Sequence, residues 1–173
     1  ANNTTINGGR QSIHDGGIST GTIIESGNQD VYKGGISNGT TVKGGASRVE
    51  GGSANGTLID GGSQIVKVQG HADGTTINKS GSQDVVQGSL ATNTTINGGR
   101  QYVEQSTVET TTIKNGGEQR VYESRALDTT IEGGTQSLNS KSTAKNTQIY
   151  SGGTQIVDNT STSDVIEVYS GGV

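Results

Sequence analysis

Two histidines, His14 and His71, and sixteen carboxylates are the side chains of this 173-residue chain best suited to proton transfer or metal binding. Neither group is arranged for it. The histidines fall in different turns and read as exposed polar residues with no shared metal site. Acid–base cleavage of a polysaccharide needs carboxylates clustered on neighbouring coils. Asp30 and Asp84 share an outward slot of the chain's repeat but stand three coils apart, and Asp73 and Glu109 share another, two coils apart. A calcium-binding β-roll carries the phrase G-G-x-G-x-D. Here the phrase is G-G-x-Q-x-V, as in Gly98-Gly99-Arg100-Gln101-Tyr102-Val103, so Gln and Val replace the residues that bring carboxylate and turn to calcium. No cysteine is present, which removes disulfides, thiolate chemistry and Cys-based metal sites. No catalysis, metal or cofactor is expected.

Composition narrows the classes further. Twelve basic residues against sixteen acidic ones, with no Phe or Trp, argue against a nucleic-acid surface. No stretch approaches the roughly 18–20 apolar residues of a membrane-spanning helix. Hydrophobic residues make up only 26%, against roughly 45–50% in an ordinary domain. That level would suggest disorder. The apolar residues present are mostly β-branched Ile and Val, which favour strands, and they recur at a fixed period.

One aliphatic column runs Ile6, Ile24, Val42, Ile59, Ile77, Ile96, Ile113, Ile131, Ile149 and Val168, with spacings of 17 to 19 residues. A second follows at Ile13, Val31, Val49, Val66, Val85, Val103, Val121, Leu138 and Val157. A third is placed at Ile18, Ile36, Ala54, Ala72, Leu90, Val108, Ala126 and Ala144. Eleven Gly-Gly pairs interrupt any helical reading, because glycine is a poor residue for a helix interior. Three short strands per coil, separated by turns, describe an all-β, three-sided parallel β-helix of nine to ten coils of 18 residues. At about 4.8 Å per coil the rod is on the order of 45 Å long.

Side chains two apart in a strand face the same way. Thr precedes the first column by two places in nine coils, from Thr4 to Thr147, and Gln precedes the second by two everywhere except at Ser47. Both are read as inward ladders, since buried polar groups need partners and stacked amides supply them. The interrupted outward Thr column does not make the flat face an ice-binding surface needs. The chain begins and ends inside a coil, and residues 1–173 are read as one β-helix segment excised from a longer solenoid. Asp158 to Asp164 lacks a third-column aliphatic and is read as a loop or worn coil.

The recurring phrase A-x-x-T-T-I-x-G-G-x-Q-x-V, as at Asn93–Gln101 and Asp128–Gln136, resembles the passenger repeats of self-associating bacterial autotransporters. These are the AIDA-type and TibA-type adhesins and antigen 43. The resemblance covers essentially the whole chain. It implies a right-handed β-helix, exported through the periplasm and an outer-membrane translocator barrel that this chain does not contain, and displayed at the cell surface. It also implies cell–cell aggregation and biofilm formation, contact with host-cell surfaces, and heptosylation on Ser by a dedicated transferase. The absence of Cys agrees with export across an oxidising periplasm.

Two sets of site residues follow as expectations. The first is a self-association strip between copies of the rod. It comprises Thr20, Asn38, Asn55, Asp73, Thr92 and Glu109, four places before the first column, with the outward Thr5, Thr41, Thr76, Thr95, Thr112 and Thr130 beside it. The second is a set of serines read as exposed near the third turn and open to glycosylation: Ser19, Ser37, Ser53, Ser89, Ser106 and Ser124.

Overall fold

The computed structural model describes residues 1–173, apart from the side chain of Val165. Every regular element among them is a strand, and every strand-to-strand ladder is parallel. The pairing follows the period of the sequence. Ile77, for example, lies in register with Ile59 in one neighbouring coil and Ile96 in the other. Three faces result. The first carries short strands such as Thr76–Asn78 and Thr95–Asn97. The second carries strands such as Ser82–Val86 and Arg100–Glu104. The third carries strands such as Ser53–Asn55 and His71–Asp73.

The core is as thin as the composition requires. The first column forms one buried stack from Ile6 to Ile149. The second and third columns form another, from Val49 and Ala54 to Leu138 and Ala144. At the last coil the cover ends, and Val157 and Val168 are 39% and 57% exposed. Both polar ladders point inward. Thr22, Thr40, Thr57, Thr75, Thr94, Thr111, Thr129 and Thr147 are buried. The Gln side chains are linked amide to amide at 2.6–2.8 Å, between Gln11 and Gln29 and from Gln64 through to Gln155. Several also donate to the Thr of their own coil, as Gln64 does to Thr57 at 3.0 Å.

Glycine is required at some corners and not at others. A Cβ on Gly99 would lie 2.5 Å from the Asn78 carbonyl oxygen and 2.6 Å from the Ile77 side chain, both in the neighbouring coil. The corner between the third and first faces is different. After Asn3 in the first coil, Gly21, Gly39, Gly56 and Gly74 hold it at a left-handed φ of 63–66°, and Asn93, Thr110, Asp128 and Asn146 hold it later at 53–55°. Asn and Asp tolerate this region; a β-branched Thr there is an outlier.

The third column is corrected at three coils. Ser19, Ser37 and Ala91 point inward in register with Ala54 and Ala72, while Ile18, Ile36 and Leu90 face out. Ile18 is 54% exposed. A one-residue slip moves a strand's side chains to the other face. The ladder to the neighbouring coils decides the register here, and it outweighs the burial of two isoleucines. Of Asp158 to Asp164, residues 158–161 form a turn, as the loop reading has it, while Thr162–Val168 is a strand in which Ser163 continues the third column beside Ala144.

Candidate adhesive edge

The corner between the third and first faces carries the first set of expected site residues. Strand pairing places Thr20, Asn38, Asn55, Asp73, Thr92 and Glu109 in one continuous file, each beside the next. One left-handed corner residue and one inward Thr later, the outward file of the first face begins. It runs Thr5, Ile23, Thr41, Leu58, Thr76, Thr95, Thr112, Thr130 and Gln148. Period-2 alternation turns both files outward. Thr5 and Thr20 are exposed and the remaining strip residues are half-buried. Ile23 and Leu58 interrupt the Thr file. Leu127, overlooked in the sequence, extends the polar file beyond Glu109 as an apolar rung before Lys145.

Part of the edge is already occupied by its own hydrogen bonds. The Asn55 amide donates to the Asn38 side-chain oxygen at 2.9 Å. Asp73 accepts from the Thr92 hydroxyl at 2.6 Å and from the Asn93 amide at 2.7 Å. Those two bonds, Thr92 first, hold the Asp73 carboxyl below the usual carboxylate range. The Thr92 oxygen also lies 3.3 Å from His71 Nε2. With the Thr92 proton committed to Asp73, Nε2 is the donor in this contact. His71 thus sits on a third-face strand beside the strip rather than in a turn. His14 is exposed, with its ring stacked on Tyr32 at 4.8 Å.

The carboxylate pair noted in the sequence also has a structural explanation. Asp30 is fully buried beneath Arg10 and Arg48 and accepts from both. Asp84 has no such cover. Burial pushes its carboxyl up, partly opposed by the charge of Arg100.

The exposure expected of the glycosylation serines is corrected at five of the six. Ser19 and Ser37 lie inside the third column, 1% exposed. Ser89, Ser106 and Ser124 are buried at the corner between the second and third faces. They form a ladder of their own: the Ser89 amide donates to the Ser106 oxygen at 3.2 Å, Ser106 to Ser124 at 3.0 Å, Ser124 to Ser142 at 3.4 Å and Ser142 to Ser161 at 3.1 Å. Only Ser53 of the set faces outward, half-buried between Ile36 and His71. The signal was in the sequence, because Ser89, Ser106, Ser124, Ser142 and Ser161 keep the core period of 17–19 residues.

No protein-family model matches the chain. Over 151 residues it is 98% identical to a curated protein of Escherichia coli (strain K12) described as a probable autotransporter, YpjA. That match covers 87% of this chain and 10% of the relative, so the chain spans about a tenth of the protein it matches. The solved structure of a TibC-catalysed, hyper-glycosylated TibA fragment aligns with 99% of this chain and 79% of its own length, at 31% identity and a TM-score of 0.75. The fluoroquinolone resistance protein QnrB1 aligns at 13% identity and a TM-score of 0.30, too slight a likeness to inform the fold.

Proposed function

The chain belongs to the AIDA, TibA and antigen 43 group of autotransporter passenger domains, and on that premise we propose that it is a length of non-catalytic adhesive rod through which bacterial cells associate with one another. Its site of action is the cell surface, reached through the periplasm and an outer-membrane barrel. The observation that carries the reading is the edge itself: an in-register file of amides, hydroxyls and carboxylates from Thr20 to Glu109, with a Thr file beside it. One hydrogen bond contributes only about 0.5–1.5 kcal/mol net. A rod repeats the bond coil after coil and a cell displays many rods, so weak contacts sum to avidity. The partner is a second copy on a neighbouring cell, paired edge to edge, and aggregation of this kind supports biofilm. A host-cell surface is a further partner of the same edge.

The test is a settling assay on cells displaying the whole passenger. Replacing Asn38, Asn55 and Thr92 together by Ala slows settling if the strip is the interface. Settling at the native rate sinks the proposal. Light scattering of residues 1–173 alone shows whether this many coils suffice.

A second reading, a glycoprotein adhesin modified by a heptosyltransferase, rests on the hyper-glycosylated TibA relative. After folding, the serines open to such a transferase are outward ones such as Ser53. Intact mass after co-expression with such a transferase decides it. Regular sugar increments support it, and an unmodified mass removes it.

A further inference from the structure

The glutamine ladder is broken once. Ser47 pairs in register with Gln29 on one side and Gln64 on the other, and all three are fully buried. Elsewhere each rung is a direct amide–amide bond, such as that from Gln83 to Gln64 at 2.7 Å. Across Ser47 there is none. The Gln29 oxygen accepts from Thr40 at 3.0 Å, and the Gln64 amide donates to Thr57 at 3.0 Å and not to another Gln. Gln29 and Gln64 are two coil spacings apart, about 4.8 Å each, which is beyond the reach of a direct bond.

The groups around this slot want partners. The buried hydroxyls of Ser47 and Ser37 have none among the described residues. Ser37 stacks on Ser19 and Gln29 on Gln11. Ser19 bonds both the Gln11 oxygen, at 3.2 Å, and Thr22, at 2.7 Å. Ser37 makes neither of the corresponding bonds to Gln29 and Thr40. A serine is also much shorter than the glutamine it replaces. A polar slot holds water when it has at least about 10–15 Å³ of probe volume and two to four hydrogen-bonding partners. Gln29, Ser37, Ser47 and Gln64 supply four.

We propose that the slot between Gln29 and Gln64 is an internal hydration site, in which buried water takes the place of the missing amide and carries the hydrogen-bond chain of the ladder past Ser47. Its position coincides with a second boundary. The stack of second and third columns starts at Val49 and Ala54 and leaves out Ile13 and Val31, whose third-column neighbours are Ser19 and Ser37. The first two coils are therefore polar-lined on that side. The water sits where this lining gives way to a continuous apolar stack.

The test is water-to-protein NOE spectroscopy on the isotopically labelled native chain. Slowly exchanging water gives cross-peaks to the side-chain amide of Gln64, which faces the slot, and none to those of Gln101 and Gln119, whose rungs are closed; Gln29 faces the slot with its oxygen, its amide being bonded to Gln11. Ser47→Gln completes the ladder, abolishes the cross-peaks and raises the thermal midpoint by a few degrees. Ser47→Ala, which enlarges the slot and leaves the amides in place, keeps the cross-peaks. It reads the same proposal if the glutamine variant does not fold. A Gln64 amide as dry as that of Gln101 in the native chain overturns it.

Discussion

Gln101→Leu isolates the worth of one ladder rung. Gln101 is fully buried, donates to the Gln83 oxygen at 2.6 Å and accepts from the Gln119 amide at 2.7 Å. Neither neighbour has another partner for the group concerned, and the Thr94 hydroxyl, which Gln101 reaches at 3.5 Å, has no other bond, so the variant leaves the Gln83 oxygen and the Gln119 amide buried and unpaired and frees the Thr94 hydroxyl as well. Each orphan costs about 1–3 kcal/mol. The greater apolar burial of Leu returns on the order of 1 kcal/mol. The net loss is about 3 kcal/mol, which for a chain of this size lowers the midpoint by roughly 6–12 °C. Urea unfolding followed by far-UV circular dichroism measures it, with an unchanged slope showing that the same surface is exposed. Gln11→Leu is the internal control. Gln11 is half-buried and stands at the end of the ladder, so its loss strands one buried group, the Gln29 amide, and the cost is smaller, about 1–2 kcal/mol. A loss at 101 under about 1 kcal/mol, or equal losses at 11 and 101, refutes the view that the buried amides hold the rod together.

Thr111 and Thr129 occupy the same inward file, yet the Thr111 hydroxyl has no partner while Thr129 accepts from Gln136 at 3.1 Å. Thr111→Val is therefore neutral or stabilising, and Thr129→Val costs about 1 kcal/mol in the same unfolding assay. Asp73 is held below its ordinary pKa, so its contribution to stability is present at neutral pH and is lost as pH falls through the carboxylate range. Thr92→Val removes the larger of the two causes, and the Asp73 carboxyl then titrates nearer its unfolded value in an NMR pH series. Asp84 has the opposite sign, since burial raises its pKa and its ionised form costs stability above that pKa. Asp84→Asn raises the thermal midpoint at pH 7, and the gain vanishes once the pH is below about 4.

Much of this was legible in one dimension because a solenoid turns long-range contacts into a short period. Each residue's spatial neighbours are its equivalents one coil away, so the first column, the inward Thr and Gln ladders and the outward strip follow from spacing alone. The third face was less legible. Its strands are three residues long in the early coils, as in Ile18–Thr20 and Ile36–Asn38, which is too short for alternation to declare itself. Hydrophobicity placed Ile18 inside, where the ladder puts Ser19. The same gap hid the buried Ser ladder, whose members resemble exposed turn serines until Ser89, Ser106, Ser124 and Ser142 are stacked.

By itself the sequence determined the period, the strand class, the polar ladders and the file of residues along the edge. These depend on composition and spacing, which are properties of the chain alone. Only the tertiary structure decided which of two adjacent residues enters the core, which serines are buried, and where a buried hydroxyl lacks a partner. Those outcomes depend on what the coil on either side presents. A one-residue choice of register reverses a side chain's face, and a hydrogen bond exists only when both partners arrive.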